Sequence, residues 1–109
     1  MAATYKVLGT QVTPGATITD LYTVPAGYQA VVSTLAITNV QATDITFRIA
    51  VVPSGQTLGN QHYIAYEVPL GNYESQYLTI GLSLNSGDKI KVYSSAATGA
   101  FSAFGTEIN

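Results

Sequence analysis

"LYTVPAGYQAVVSTLAITNVQATDITFRIAVV", residues Leu21 to Val52, decides the fold class. Its last part, Ile45–Val52, alternates: Ile45, Phe47, Ile49 and Val51 fall on one side, and Thr46, Arg48, Ala50 and Val52 on the other. Successive strand side chains point to opposite faces, so this is the period of a half-buried β-strand. Tyr28–Asn39 repeats it. Val31, Leu35 and Ile37 are the predicted core face, with Ala30, Val32, Thr34, Ala36 and Thr38 opposite. Pro25-Ala26-Gly27 is a turn signal before it. Asp44 and Arg48 are the only charged residues of the stretch. Strand faces in water commonly carry charge, yet the second faces here are uncharged apart from Arg48. Either a threonine-rich surface meets solvent, or something covers it.

Working outward, Thr4–Val12 reads as a strand at an edge or bent at Gly9, and Thr17–Val24 as a strand whose phase shifts near Asp20. His62–Leu70 places Ile64, Tyr66 and Val68 on one face, which makes Tyr66 a predicted core residue. Gln76–Leu84 turns Leu78, Ile80, Leu82 and Leu84 inward, and Asp88–Ser95 turns Ile90 and Val92 inward. Ala97–Ile108 closes the chain, with Phe101 and Phe104 in opposite phase, so burying both requires a bulge. About eight strands, no substantial helix and frequent turn signals predict an all-β, single-domain antiparallel two-sheet sandwich over residues 1–109, jelly-roll or Greek-key. Residues 1–7 are expected to be an extended arm or a first edge strand.

Composition narrows the function. The chain has 109 residues, a net charge of -2 and only four basic side chains, too few for a nucleic-acid backbone partner. There is no cysteine, hence no disulfide or thiolate metal site. No apolar run is long enough to span a membrane, and "MAATYKVLG" does not resemble a secretory signal, so synthesis in a cytoplasm without a membrane partner is expected. Charged residues make up 9%, against about 25% in a typical domain. Interfaces are depleted in charge and enriched in aromatics, so part of this surface is expected to be covered.

Catalytic constellations are missing. His62 is the only histidine, and Glu67 lies in opposite strand phase to it. The acids Asp20, Asp44, Glu67, Glu74, Asp88 and Glu107 are dispersed, and no GxSxG or phosphate-binding loop occurs. The chain is predicted to be no enzyme, with no cofactor and no metal. Tyr63, Tyr73 and Tyr77 are candidate interface anchors; stacking platforms for carbohydrate are the alternative use of such rings.

"YTVPAG" (Tyr22–Gly27), Asn39, "FRIAVVPSG" (Phe47–Gly55), "HYIAY" (His62–Tyr66) and the stretch Leu84–Tyr93 together resemble a family of small virion proteins of tailed bacteriophages, including phages of cyanobacteria. The resemblance covers about Leu21 to Glu107, and its motifs are structural. It implies a capsid decoration (cement) protein that binds the major capsid protein on the outer surface of the virion, as a homotrimer, and staples capsomers. A tail, baseplate or fibre module attaching to host glycans is the alternative. On this reading Ala30, Val32, Thr34 and Ala36 are the first candidates for subunit or capsid packing. Arg48 is the polar residue among them, Tyr63, Tyr73 and Tyr77 are second candidates, and Ala2–Val7 is a candidate capsid-gripping arm.

Overall fold

A computed structural model describes residues 3–109. Eight strands form: β1 (Ala3–Val12), β2 (Thr19–Thr23), β3 (Gln29–Asn39), β4 (Ile45–Val52), β5 (Tyr63–Leu70), β6 (Ser75–Leu84), β7 (Lys89–Ser94) and β8 (Gly99–Ile108). One turn of 3-10 helix, Asn60–His62, precedes β5. No helix among the described residues is long and apolar enough to cross a membrane.

The strands make two four-stranded sheets, β1-β8-β3-β6 (sheet I) and β2-β7-β4-β5 (sheet II). Every ladder is antiparallel. The pairs β1·β8, β2·β7, β3·β6 and β4·β5 are those of one long hairpin closed at β4–β5. Rolling that hairpin up adds β8·β3 and β7·β4. This is the jelly-roll pairing, so the topology is decided in its favour. The predicted two-sheet sandwich is the fold observed.

Turn chemistry sets the strand ends. Tyr28 N–H bonds Pro25 O, Gln56 N–H bonds Pro53 O and Asp88 N–H bonds Asn85 O. The third residue of each turn is a glycine in the left-handed region (Gly27, Gly55, Gly87), as a type II turn requires. Proline occupies the first position of two of these turns, one residue earlier than its usual place.

Both sheets share one core, which includes Val24, Val32, Leu35, Ile37, Phe47, Ile49, Ile90, Val92 and Phe101. Phe47 of β4 and Phe101 of β8 meet edge to face between the sheets, 6.4 Å apart. Phe104 is exposed on the outer side of β8, so no bulge is needed there. Asn39 is fully buried at one end. Its amide donates to Thr43 O and Gly71 O, and its Oδ1 accepts from Gln41 N–H and Thr98 Oγ1. A buried amide with all these partners ties three loops together at little desolvation cost.

Residues 3–7 are the start of edge strand β1, paired with Phe104–Ile108. Of the proposed arm, Ala2 lies outside the described residues, and the rest is strand. Lys6 points inward from this edge and pairs with buried Glu107 at 2.6 Å, a device that discourages further strand pairing. Tyr22 donates its hydroxyl to the same carboxylate. Lys6, then Tyr22, hold Glu107 below its ordinary pKa of 4.5. Burial, then Glu107, push Tyr22 above its ordinary 10.0. A lowered carboxyl stabilises the fold above its unfolded pKa and loses that as pH falls through its folded value. A raised phenol stabilises below its unfolded pKa and loses that as pH rises toward its folded value. Urea midpoints are therefore expected to be flat from about pH 5 to 9 and to fall on both sides. Glu107→Gln is expected to shrink the acid limb, only in part because Asp20 and Glu67 are also lowered. An unchanged acid limb would show that Glu107 is not held by these partners.

Candidate functional site

Backbone bulges decide which side chains reach the surface. In β3 the register slips between Val32 and Thr34, against both β6 and β8. Against β8 Ser33 is the extra residue, and its hydroxyl donates to Phe104 O; against β6 the extra residue lies on β6, between Leu82 and Thr79. Up to this point Ala30 and Val32 face inward; beyond it Leu35 and Ile37 do. Ala30 and Val32 are 1% and 0% exposed, so they are core residues and not an interface strip. Val31, predicted to be core, is exposed on the outer face. Thr34 and Ala36 do lie on that face, half-buried.

The outer face of sheet I collects most of the exposed apolar side chains. Tyr5, Val7, Val12, Val31, Phe104 and Tyr77 all lie there, in register across the four strands. Tyr5 and Tyr77 are 83% and 68% exposed. Their strand neighbours on this face include Thr10, Thr79, Ser83, Ser102 and Thr106. Among the described residues no Asp, Glu, Lys or Arg projects from it. Four strands of about ten residues, about 4.8 Å apart, present roughly 600 Å². That approaches the roughly 800 Å² one partner gives to a standard interface.

The strand-borne charges lie elsewhere. Asp20 binds Lys91 at 2.6 Å and Lys89 at 3.4 Å on the outer face of sheet II. Asp44, Glu74 and Asp88 accept backbone N–H groups in turns. With Glu67 on Arg48 and Glu107 on Lys6, all six acids are engaged. His62 is buried in the loop before β5: its Nδ1 accepts Gly59 N–H and its Nε2 meets Gln56 Oε1. It staples that loop. No group of three His, Asp or Glu side chains suited to a metal occurs among the described residues.

Arg48 anchors a second cluster, on the outer face of sheet II. The β4–β5 register passes from Phe47↔Val68 to Ile49↔Ala65, so Tyr66 and Glu67 together oppose Arg48. Glu67 has a left-handed φ of 51°, which costs a non-glycine residue roughly 1–2 kcal/mol. The bulge brings two consecutive side chains to Arg48. Glu67 binds its Nε and accepts from Thr46 Oγ1 at 2.9 Å. Thr46 first, then Arg48, hold the Glu67 carboxyl below its ordinary range. The guanidinium stacks 4.5 Å from the Tyr66 ring and 4.2 Å from the Tyr93 ring. Tyr63 stands edge-on to Tyr66, 4.9 Å away at 81°. Tyr66, predicted to be core, is therefore on the surface; its phase was reversed by the bulge. Further along this face Ala50 and Val52 are buried where the Pro53–His62 segment folds back over β4. The chain thus covers part of its own uncharged strip.

The sequence candidates divide accordingly. Ala30 and Val32 belong to the core. Thr34, Ala36 and Tyr77 share the outer face of sheet I. Arg48 and Tyr63 share that of sheet II. Tyr73 is exposed in the β5–β6 turn, its N–H bonded to Gln41 O. Sequence phase missed Tyr5, Val7, Val31 and Phe104 as surface residues of one patch. Compared with known proteins, the chain matches no family model, no curated protein and no solved structure.

Proposed function

We propose that this chain is a non-enzymatic structural protein of a tailed-phage virion. In this reading it is a decoration protein that docks on the outer capsid surface, as a trimer, and stabilises contacts between capsomers. The uncharged, tyrosine- and valine-bearing outer face of sheet I carries the reading. Such a face loses little by desolvation when a subunit covers it, and it places no buried charge in the interface. The resemblance of Tyr22–Gly27, Phe47–Gly55, His62–Tyr66 and Leu84–Tyr93 to phage virion proteins supports it. Jelly rolls are frequent among viral shell proteins, which agrees as analogy only. Many copies on a lattice turn modest individual contacts into durable attachment.

The test is stoichiometry in purified particles. A decoration protein is present in hundreds of copies, scaling with the major capsid protein. Light scattering of the isolated protein is expected to give about three times the 11.4 kDa chain mass. A few copies per particle would move the protein to a tail or baseplate. A chain absent from particles would end the virion reading.

A further inference from the structure

We propose that the outer face of sheet II carries a binding site for a neutral pyranose sugar, formed by Tyr66, Tyr63 and Asn60 and braced by Arg48 and Glu67. The site lies on the sheet opposite the uncharged assembly face, so it does not depend on where the protein sits in a particle.

Three observations lead to it. First, Tyr66 carries the Arg48 guanidinium 4.5 Å from its ring centre and is still 55% exposed. That exposure leaves part of the residue open to solvent, where it lines a surface depression. Second, Tyr63 stands at 81° to Tyr66, and the two rings with Asn60 line one shallow depression. An exposed ring, a second ring at a right angle and an amide form a corner that a single six-membered ring can enter. Third, the support is unusually firm for a surface. Arg48 is held between Tyr66 and Tyr93 and bound to Glu67, and the left-handed residue at Glu67 lets Tyr66 and Glu67 both reach this face. Backbone strain retained beside an exposed, pre-oriented aromatic is a pointer to function.

The chemistry of the corner selects the ligand. A pyranose presents an apolar C–H face, which stacks on a tyrosine ring, and equatorial hydroxyls, which suit the Asn60 amide and the Tyr63 hydroxyl. Anionic ligands fit less well, because Glu67 already neutralises Arg48 and two tyrosine rings lie within 4.5 Å of its guanidinium carbon. Cationic ligands would compete with Arg48 for the same ring.

The experiment is a ¹H–¹⁵N titration of the whole chain with cellotetraose, maltotetraose and chitotetraose at millimolar concentration. At least one is expected to give saturable shifts confined to Asn60–Glu67, Arg48 and Tyr93. Tyr66→Ala is expected to weaken that binding about tenfold or more, and Tyr66→Phe to keep it within about twofold. Tyr77→Ala, on the other sheet, is expected to change nothing. The rest of each variant's spectrum reports whether it is folded. No saturable shift with any of the three sugars overturns the proposal, as do shifts that survive Tyr66→Ala. Shifts of the same residues by a proline-rich peptide, with none from sugars, would make this a peptide site and also overturn it.

Discussion

Phe47→Ala is expected to cost about 3–5 kcal/mol of folding stability, read from the urea midpoint. Phe47 is 1% exposed on β4, an inner strand of sheet II, and its ring meets Phe101 on β8, an inner strand of sheet I. The pair bridges the sheets inside the core, toward the end that carries Asn39. Truncation removes the ring's transfer energy and leaves a cavity that two twisted sheets cannot readily close. A domain of this size has only about 5–15 kcal/mol in total, so the variant falls near the threshold of folding. Because the rings touch, Phe47→Ala with Phe101→Ala is expected to cost less than the two single losses combined. A loss below about 1 kcal/mol for Phe47→Ala would mean that the sheets are not clamped here.

On the proposed assembly through the outer face of sheet I, Val31→Lys is expected to abolish association while leaving the isolated fold within about 0.5 kcal/mol of the parent. Val31 lies on inner strand β3, between Thr106 of β8 and Ser83 of β6, on the uncharged face. An ammonium buried there finds no carboxylate among the described residues of that face. Burying an unpaired charge costs several kcal/mol, which weakens association a hundredfold or more. Under that proposal the loss is expected whether the covering partner is another copy or a capsid subunit. Light scattering reads the first case and copy number in purified particles the second. Thr57→Lys, in the exposed loop after β4, is the control and is expected to assemble normally. Normal assembly of Val31→Lys would remove the outer face of sheet I from the interface.

Secondary structure was legible because it is written locally. Ile45–Val52 alternates with period two, and its outward residues Arg48, Ala50 and Val52 do face away from the shared core. The Pro-Ala-Gly, Pro-Ser-Gly and Asn-Ser-Gly turns end strands where their glycines adopt positive φ. Engagement of every acid could not be read, since Asp88 meets Ser54 and Glu107 meets Lys6 across long stretches of chain.

Side-chain facing was legible on one side of each bulge only: Leu35 and Ile37 beyond Ser33 face the core as expected, and Ala30 to Val32 before it are reversed. Ser33 in β3, extra against β8, and the Tyr66–Glu67 pair in β5, set against Arg48, carry no local signal that marks them. The slip at Ser33 is set by β6 and β8, more than forty positions away, and one slipped residue exchanges the faces of a strand. That is why Ala30, Val32 and Tyr66 were placed on the wrong sides. Low charge was visible in composition, and it pointed to a surface to be covered. Where that surface lies depends on strand order: β1, β8, β3 and β6 become neighbours only when the long hairpin rolls up. Local residue choice thus sets strands and turns through backbone preference and period. The two faces of this protein, one uncharged and one built around Arg48, arise from pairings between distant segments that no local pattern encodes.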